Sequence, residues 1–223
     1  MGIRAQDVLA ERLEKPTHVD NDANLGALAE FVWGAARGAQ NSAYLKVSTG
    51  IGAGLIIGGR IHRGAFGTAG EIGHTTIDEH GRVCRCGNRG CLETMAGAPV
   101  LVEMLHPNLG DDLTIADAVV LARRGDAGCR RVIADAGRHI GVAVANLCNL
   151  VNPASIVGGG DLAAAGDLLL DPLRESVARQ AIPGAVAGMD IVVGELGDRA
   201  EVLGALALAL NESHVVDLGA GSR

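Results

Sequence analysis

Three cysteines and one histidine stand close together in a glycine-rich stretch between residues 70 and 93. Thiolates and imidazole nitrogens are the ligands that zinc prefers, and four of them complete a closed tetrahedral structural site. Gly87 and Gly90 lie between the cysteines and permit the tight backbone turns that three converging sulfur atoms require. Because a bound ion would fix the fold of the whole stretch, no other feature constrains the chain as strongly. The stretch predicts a zinc site made of His74, Cys84, Cys86 and Cys91.

Two other interpretations of these cysteines stay open at this point. The thiols could be ordinary buried side chains beside a surface histidine, although a polar, glycine-rich loop makes a poor hydrophobic core. Two of them could form a disulfide, but the N-terminal residues show no apolar segment of a secretory signal. We therefore expect a cytoplasmic protein with reduced thiols. Cys129 and Cys148 fall in a predicted helix and are interpreted as core thiols.

The composition argues against several classes of function. Apolar residues make up 48% of the chain, which indicates a globular protein, and no apolar run approaches the roughly 20 residues that cross a bilayer. The formal net charge is −7 and the basic residues are scattered, so a direct nucleic-acid surface is not predicted. Aromatic residues are only 2%, and we expect a core built from aliphatic side chains.

Predicted strands alternate with predicted helices along the chain, which is typical of an α/β architecture. The strands are expected at 17–19, 43–46, 55–57, 60–62, 75–77, 155–157 and 190–193. The helices are expected at 4–14, from about 25 to 38, and at 92–105, 114–124, 126–150, 167–181 and 200–210.

Asp22 stands just before the second predicted helix and allows two interpretations. Asp and Asn before an apolar-periodic run are common helix N-caps, which would give Asp22 a purely structural role. Alternatively, a carboxylate kept ionised by a helix N-terminus is available as a general base. The local sequence does not decide between the two.

Two glycine-rich segments follow predicted strands. Ser48–Gly54 joins two strands, and such a turn can wrap phosphate oxygens with backbone N–H groups. It is not a Walker A loop, because the Gly-Lys-Ser/Thr ending is absent. Gly158–Gly160 follows the strand at 155–157, in the place where α/β folds bind ligands.

Taken together and in order, these stretches resemble the ROK family of repressors, open reading frames and sugar kinases. The resemblance covers nearly the whole chain from about residue 15. The matching stretches are Val19–Asn24, Ser48–Gly54, Gly70–His74, Cys84–Glu93 and Ile156–Gly159.

The resemblance implies an actin/hexokinase-like (ribonuclease H-like) α/β fold, here mostly its second lobe, with a zinc-binding loop. It implies that the histidine and the three cysteines hold a structural Zn²⁺. It also implies a sugar ligand, which would contact Asn21, Asp22, Glu71, His74 and Glu93.

The kinases of the family suggest further roles that apply only if this chain is a kinase. Asp22 would then deprotonate the attacked sugar hydroxyl. ATP, with Mg²⁺, would bind at Thr49, Gly50, Gly158 and Gly159.

The chain departs from the family pattern at its beginning. ROK kinases start with an Asp-x-Gly-Gly-Thr phosphate loop about a hundred residues before the stretch that matches Asn21, and ROK repressors carry a winged helix-turn-helix further upstream. We therefore expect a family member without most of its first lobe. If the protein contacts DNA, we expect it to do so only through a segment absent from this chain. The expected parts are a remnant of the first lobe with a connecting helix at 1–40, the main sugar and zinc domain at 41–198, a C-terminal helix at 199–212 and a frayed tail at 213–223.

Three functions are compatible with these features. The favoured one is the sugar-sensing part of a transcriptional regulator, because Val19–Glu30 and Gly197–Leu206 most resemble actinobacterial ROK regulators. The second is an ATP-dependent hexose kinase, although we expect no useful phosphorylation without the phosphate loop. The third, a zinc-stabilised oligomerisation module, leaves the grouping of Glu71, His74 and Glu93 unexplained. We also expect a homodimer or larger assembly and no membrane partner.

Overall fold

The computed structural model describes residues 5–212, with side chains through residue 210, so the predicted tail at 213–223 lies outside the described residues. At its centre is a five-stranded mixed sheet with strand order β3-β2-β1-β4-β5. Strands β1, β2 and β3 are antiparallel neighbours, whereas β4 runs parallel to both β1 and β5. The strands are β1 Ser42–Val47, β2 Ile51–Ile57, β3 Arg60–Ile61, β4 Ser155–Gly159 and β5 Asp190–Val193.

Helices cover both faces of this sheet, which confirms the α/β class. None of the helices between residues 5 and 212 has both the length and the apolar character needed to cross a membrane. The helices are α1 Ala5–Leu13, α2 Asp22–Trp33, α3 Glu93–Ala96, α4 Ala98–Leu109, α5 Ile115–Arg123, α6 Ala127–Val151, α7 Asp167–Gln180, α8 Pro183–Val186 and α9 Ala200–Glu212.

The side chains of β1 alternate between the two faces of the sheet. Leu45 points into the larger core, which it shares with Ile133 and Ile140 of α6. Tyr44 points to the opposite face and packs in a second cluster with Ala27 of α2, Ile56 and Val157. Both faces of the central strand are therefore buried. The larger core is aliphatic, as the composition predicts.

Polar side chains begin two of the helices at the predicted positions. Thr114 and Asp117 form a reciprocal capping box at the start of α5. Asp126 caps α6 by accepting a hydrogen bond from the backbone N–H of Cys129 at 2.8 Å. Asn152 ends α6 in the left-handed conformation, with φ of 49°.

Two predicted strands were wrong. Residues 17–19 form no strand: the N–H of Val19 donates to the side-chain oxygen of Gln6 at 3.4 Å, and the Val19 side chain is about half exposed. At 75–77 the only pairing among the described residues is a single bridge between Thr76 and Cys91. The chain turns toward the cysteine loop on either side of that bridge.

Two predicted helices have different bounds in the structure. The helix expected at 92–105 is interrupted at Gly97, which is extended because the N–H of Ala98 donates to the carbonyl of Ser48 at 3.1 Å. The helix expected to reach residue 38 ends at Trp33, since the carboxylate of Glu30 captures the N–H of Ala35 at 2.8 Å.

The contact between α2 and α9 predicts a sensitive position at Gly204. A Cβ atom there would lie 1.9 Å from the backbone oxygen of Leu25. Gly204→Ala is therefore expected to lower the free energy of unfolding by about 1–3 kcal/mol, because two backbones would have to separate. Gly184→Ala is the matched control, since its Cβ would meet nothing within 4 Å. Urea unfolding measures both, and equal stabilities would contradict the close packing.

Candidate functional site

One cleft, with a volume of about 300 Å³, collects the polar residues that were predicted to bind a ligand. It lies where the start of α2, the turn between β1 and β2, and the short 3-10 turn at 72–74 meet. Thr49 and Gly50 line the same cleft. The predicted sugar-binding residues that line it are Asn21, Asp22, Glu71, His74 and Glu93.

The predicted metal ligands form a compact cluster beside this cleft. Their ligand atoms lie within 4.8 Å of one another. Cys86 Sγ and Cys91 Sγ are 3.7 Å apart, and Cys84 Sγ is 3.5 Å from His74 Nδ1. Tetrahedral zinc, with bonds of about 2.3 Å to sulfur and 2.0–2.1 Å to nitrogen, sets edges of about 3.8 and 3.5 Å. The residues therefore fit a zinc ion, which would hold the loop in its fold.

The orientation of His74 distinguishes its two ring nitrogens. Nδ1 faces the thiol of Cys84, whereas Nε2 lies 4.0 Å from a carboxylate oxygen of Glu71. Nδ1 is therefore the atom that would bind the ion, and Nε2 is turned toward a carboxylate that lines the cleft. Such an outer carboxylate fixes the tautomer of a metal-binding histidine.

The thiols of the cluster differ in their electrostatic surroundings. Burial raises the pKa of the Cys91 thiol to about 12, with a further contribution from Cys86. A hydrogen bond from the backbone of Asn88 lowers the pKa of Cys86. Zinc binds thiolates, so its binding would release the proton that Cys91 otherwise keeps.

Glu93 is the most buried carboxylate of the cleft. Its side chain is 13% exposed, and Oε2 accepts a hydrogen bond from the N–H of Ile51 at 3.2 Å. Oε1 lies 2.9 Å from Nε of Arg85, which stands between two of the metal ligands. The zinc loop thus supports the carboxylate directly. Sequence reasoning missed Arg85, because the contact only becomes visible once the loop folds back on the first turn of α3.

The N-cap of α2 is Asn21, and Asp22 is the first helical residue. The side-chain oxygen of Asn21 accepts from the N–H of Ala23 at 2.9 Å, so its amide NH₂ remains for a ligand. Asp20 Oδ2 accepts a hydrogen bond from Nη2 of Arg63 at 2.6 Å. This ion pair connects the loop after β3 to the start of α2. Sequence reasoning missed that ion pair, which joins residues far apart in the chain.

Asp22 is held by a basic residue that the sequence did not indicate. Its Oδ2 lies 2.9 Å from the ammonium nitrogen of Lys46, which is also 2.8 Å from Oε1 of Glu201 in α9. The only signal in the sequence is a lysine inside an otherwise apolar strand.

A second cavity, of about 450 Å³, adjoins the cleft and shares Asp22, Lys46, Ser48 and Thr49 with it. Gly158 and Gly159 line this cavity, whereas Gly50 lines only the cleft. The four residues predicted to bind a nucleotide are therefore divided between the two spaces.

The second cavity is strongly acidic. Lys46 is its only basic lining residue in the described part of the chain. Burial, and then the charges of Glu201, Glu30 and Asp22, raise the pKa of Tyr44, whose side chain also lines the cavity. The carboxylates lining the cavity are Asp22, Glu30, Asp161, Asp198 and Glu201.

The fold and the metal cluster together define the class of this protein. The sequence profile of the ROK family matches residues 3–212, and the chain belongs to that family. It is 34% identical over 220 residues to the xylose repressor of Caldicellulosiruptor bescii, covering 93% of this chain and 55% of the repressor. It is 35% identical over 229 residues to the glucokinase of Halalkalibacterium halodurans, covering 96% of this chain and 69% of the kinase. The chain thus spans about half the length of the repressor and more of the kinase.

Solved structures show the same division between regulators and kinases. A ROK family transcriptional regulator, a homologue of the E. coli MLC protein, superposes with a TM-score of 0.86 at 29% identity, covering 96% of this chain and 57% of the regulator. The ROK glucokinase of Streptomyces griseus, in complex with glucose and AMPPNP, superposes with a TM-score of 0.81 at 30% identity. The match covers 91% of this chain and 71% of the glucokinase. These superpositions confirm the actin-like ROK fold.

Proposed function

We propose that this chain is the sugar-binding effector domain of a ROK transcriptional regulator. The observation that carries the proposal is the single cleft in which an amide, three carboxylates and an imidazole converge beside the zinc cluster. Vicinal sugar hydroxyls are both donors and acceptors, and a set of carboxylates with one amide matches them. Zinc would fix the loop that positions Arg85 and Glu93, without taking part in chemistry.

The acidic second cavity supports a regulator over a kinase. A nucleoside triphosphate is strongly anionic and would enter a cavity lined by five carboxylates, with Lys46 as the only cation among the described lining residues. Like charges at short range disfavour binding unless metal ions offset them. In the proposed regulator this space holds no nucleotide.

A kinase is the second candidate, and the position of Asp22 favours it. Asp22 lines both the cleft and the second cavity. In a kinase, a base at this position would take the proton of a sugar hydroxyl, whose oxygen then attacks a phosphate. A coupled assay for ADP release separates the two candidates, because only the kinase turns over.

The regulator proposal assigns DNA contact to another segment of the protein. A formal net charge of −7 does not suit direct contact with a phosphate backbone. Assembly as a homodimer or larger stays a prediction, which light scattering at tens of micromolar would test; a monodisperse monomer would contradict it.

Calorimetric titration of the zinc-loaded chain with glucose, xylose, mannose and N-acetylglucosamine tests sugar binding. At least one sugar is expected to bind saturably, and Glu71→Ala is expected to weaken that binding about 10- to 100-fold, since a hydroxyl loses its bond to a charged acceptor. Glu71 suits this test because its side chain is 55% exposed and lies in the cleft.

Glu79→Ala is the matched control, because Glu79 is 84% exposed and lies outside the cleft. Binding by the control should equal that of the unaltered chain. Failure of all four sugars to bind, or an equal loss in both variants, would contradict the proposal.

A further inference from the structure

Lys46 is one of four residues that line both the cleft and the second cavity. In the sheet it lies in register with Gly52 of β2 on one side and Gly159 of β4 on the other. Gly52 lines the cleft and Gly159 lines the second cavity, whereas Lys46 lines both. Neither of these strand neighbours has a side chain of its own, so Lys46 provides the side chain at this register of the three strands.

The ammonium group is held in place by two carboxylates. Nζ lies 2.9 Å from Asp22 Oδ2 and 2.8 Å from Glu201 Oε1, and the side chain is only 21% exposed. Burial acts to lower the pKa of Lys46, but the hydrogen bonds with Glu201 and Asp22 outweigh it and raise the pKa above its usual value. The group is therefore charged at neutral pH and carries three N–H donors. The described residues supply acceptors for two of them.

We propose that Lys46 is a sugar-binding residue that reads one hydroxyl of the ligand together with Asp22. The inference rests on the proposed sugar-binding function and adds to it the residue that sets specificity. The hydroxyl donates to the carboxylate of Asp22 and accepts the remaining N–H of Lys46. Glu201 is the positioning residue, because it anchors the ammonium from α9 without lining the cleft.

Because one hydroxyl would contact both Lys46 and Asp22, we expect the site to discriminate strongly at that position of the sugar. A ligand without the hydroxyl would leave both a charged donor and a charged acceptor unsatisfied, and polar groups left without partners reject such analogues more strongly than a missing methylene does. A carboxylate alone would lose only one of the two bonds. The ion pair therefore predicts discrimination against one monodeoxy sugar.

The geometry at position 46 favours a lysine over an arginine. Only two of the 19 Lys and Arg residues in the chain are lysines, Lys15 and Lys46. An ammonium is a compact group with three rotatable donors, whereas a guanidinium is a planar fork that would pair with one carboxylate. Lys46 can serve two carboxylates and a ligand at once. Lys15, which is exposed, offers a matched control.

The test compares Lys46→Met with Lys15→Met by calorimetry. The probes are the tightest-binding sugar among glucose, xylose, mannose and N-acetylglucosamine, and its monodeoxy derivatives. The unaltered chain and Lys15→Met should discriminate strongly against one deoxy position. Lys46→Met should weaken binding of the parent sugar about tenfold or more and reduce discrimination at that position alone. Asp22→Asn should reduce discrimination at the same position, and Lys46→Arg should restore part of the parent affinity.

A second readout measures sugar binding to the unaltered protein and does not depend on the folding of Lys46→Met. With lysine labelled at ¹³Cε, the spectrum contains only two lysine signals, which Lys15→Met assigns. Saturation with the sugar should shift the signal of Lys46 and leave that of Lys15 in place.

Three results would overturn the inference. One is a loss of affinity in Lys46→Met that is equal for the parent sugar and for every deoxy sugar, which would indicate a purely structural role of Lys46. Another is sugar binding that leaves the Lys46 signal unmoved. The third, no binding of any panel sugar by the unaltered chain, would overturn the proposed function as well.

Discussion

Replacing Cys86 with Ser is expected to release zinc, with the content falling from one equivalent per chain to less than a tenth. The side chain of Cys86 lies 3.7 Å from Cys91 Sγ, at the spacing of one tetrahedral edge. A hydroxyl is a far poorer zinc ligand than a thiolate. The segment around it, including Val83 and Arg89, makes only an isolated bridge and turns, so we expect its fold to depend on the metal.

Loss of the metal is expected to weaken sugar binding at least tenfold, because Arg85 and Glu93 lose their mutual support. Elemental analysis after purification without chelator and calorimetry with the panel sugars measure the two effects. Cys129→Ala is the control, since that thiol is buried in the core and lies outside the metal cluster. A full equivalent of zinc in Cys86→Ser, or unchanged sugar affinity in the metal-free protein, would contradict this account.

Replacing Glu30 with Ala is expected to lower the free energy of unfolding by about 3 kcal/mol or more. Glu30 is 1% exposed, and its carboxylate accepts hydrogen bonds from the backbone N–H groups of Ala35, Glu195 and Leu196 at 2.8, 3.2 and 3.0 Å. Removing it leaves those donors without their acceptor and opens a cavity between α2 and the segment before α9.

The space around Glu30 shows that the carboxylate is built into the fold. A Cβ at Gly34 would lie 2.0 Å from its Oε2, and one at Gly194 would lie 2.5 Å from its Oε1. Glu175→Ala is the matched control, because Glu175 is exposed on helix α7. Urea unfolding with unchanged slope compares the two. A difference below about 1 kcal/mol between the variants would contradict this role of the buried carboxylate.

Local patterns in the sequence predicted the elements that local interactions determine. The long helix predicted at 126–150 is confirmed as α6, with Asp126 as its N-cap and Asn152 at its end. The metal cluster was predictable because its ligands lie within one loop, and the structure brings them together. The predicted strand at 17–19 was wrong, because a short run of three residues does not by itself supply a neighbouring strand.

The unpredicted parts of the site are contacts between residues distant in the chain. Lys46 meets Asp22 from 24 residues away and Glu201 from the last helix, and Glu30 binds backbone more than 160 residues further on. Such pairs follow from the order of strands in the sheet, which no local pattern encodes. The interruption at Gly97 has the same origin, since its cause is a hydrogen bond with the turn after β1.

The most direct test of the central claim, that this chain binds a sugar without phosphorylating it, is a coupled assay for ADP release. The zinc-loaded chain is given ATP, Mg²⁺ and each panel sugar that binds by calorimetry. The account predicts saturable sugar binding. It also predicts that any sugar-dependent ADP release is the same in the unaltered chain and in Asp22→Asn. Turnover near 1 s⁻¹ or above, the low end of ordinary enzymes, that disappears in Asp22→Asn would contradict the regulator and identify a kinase.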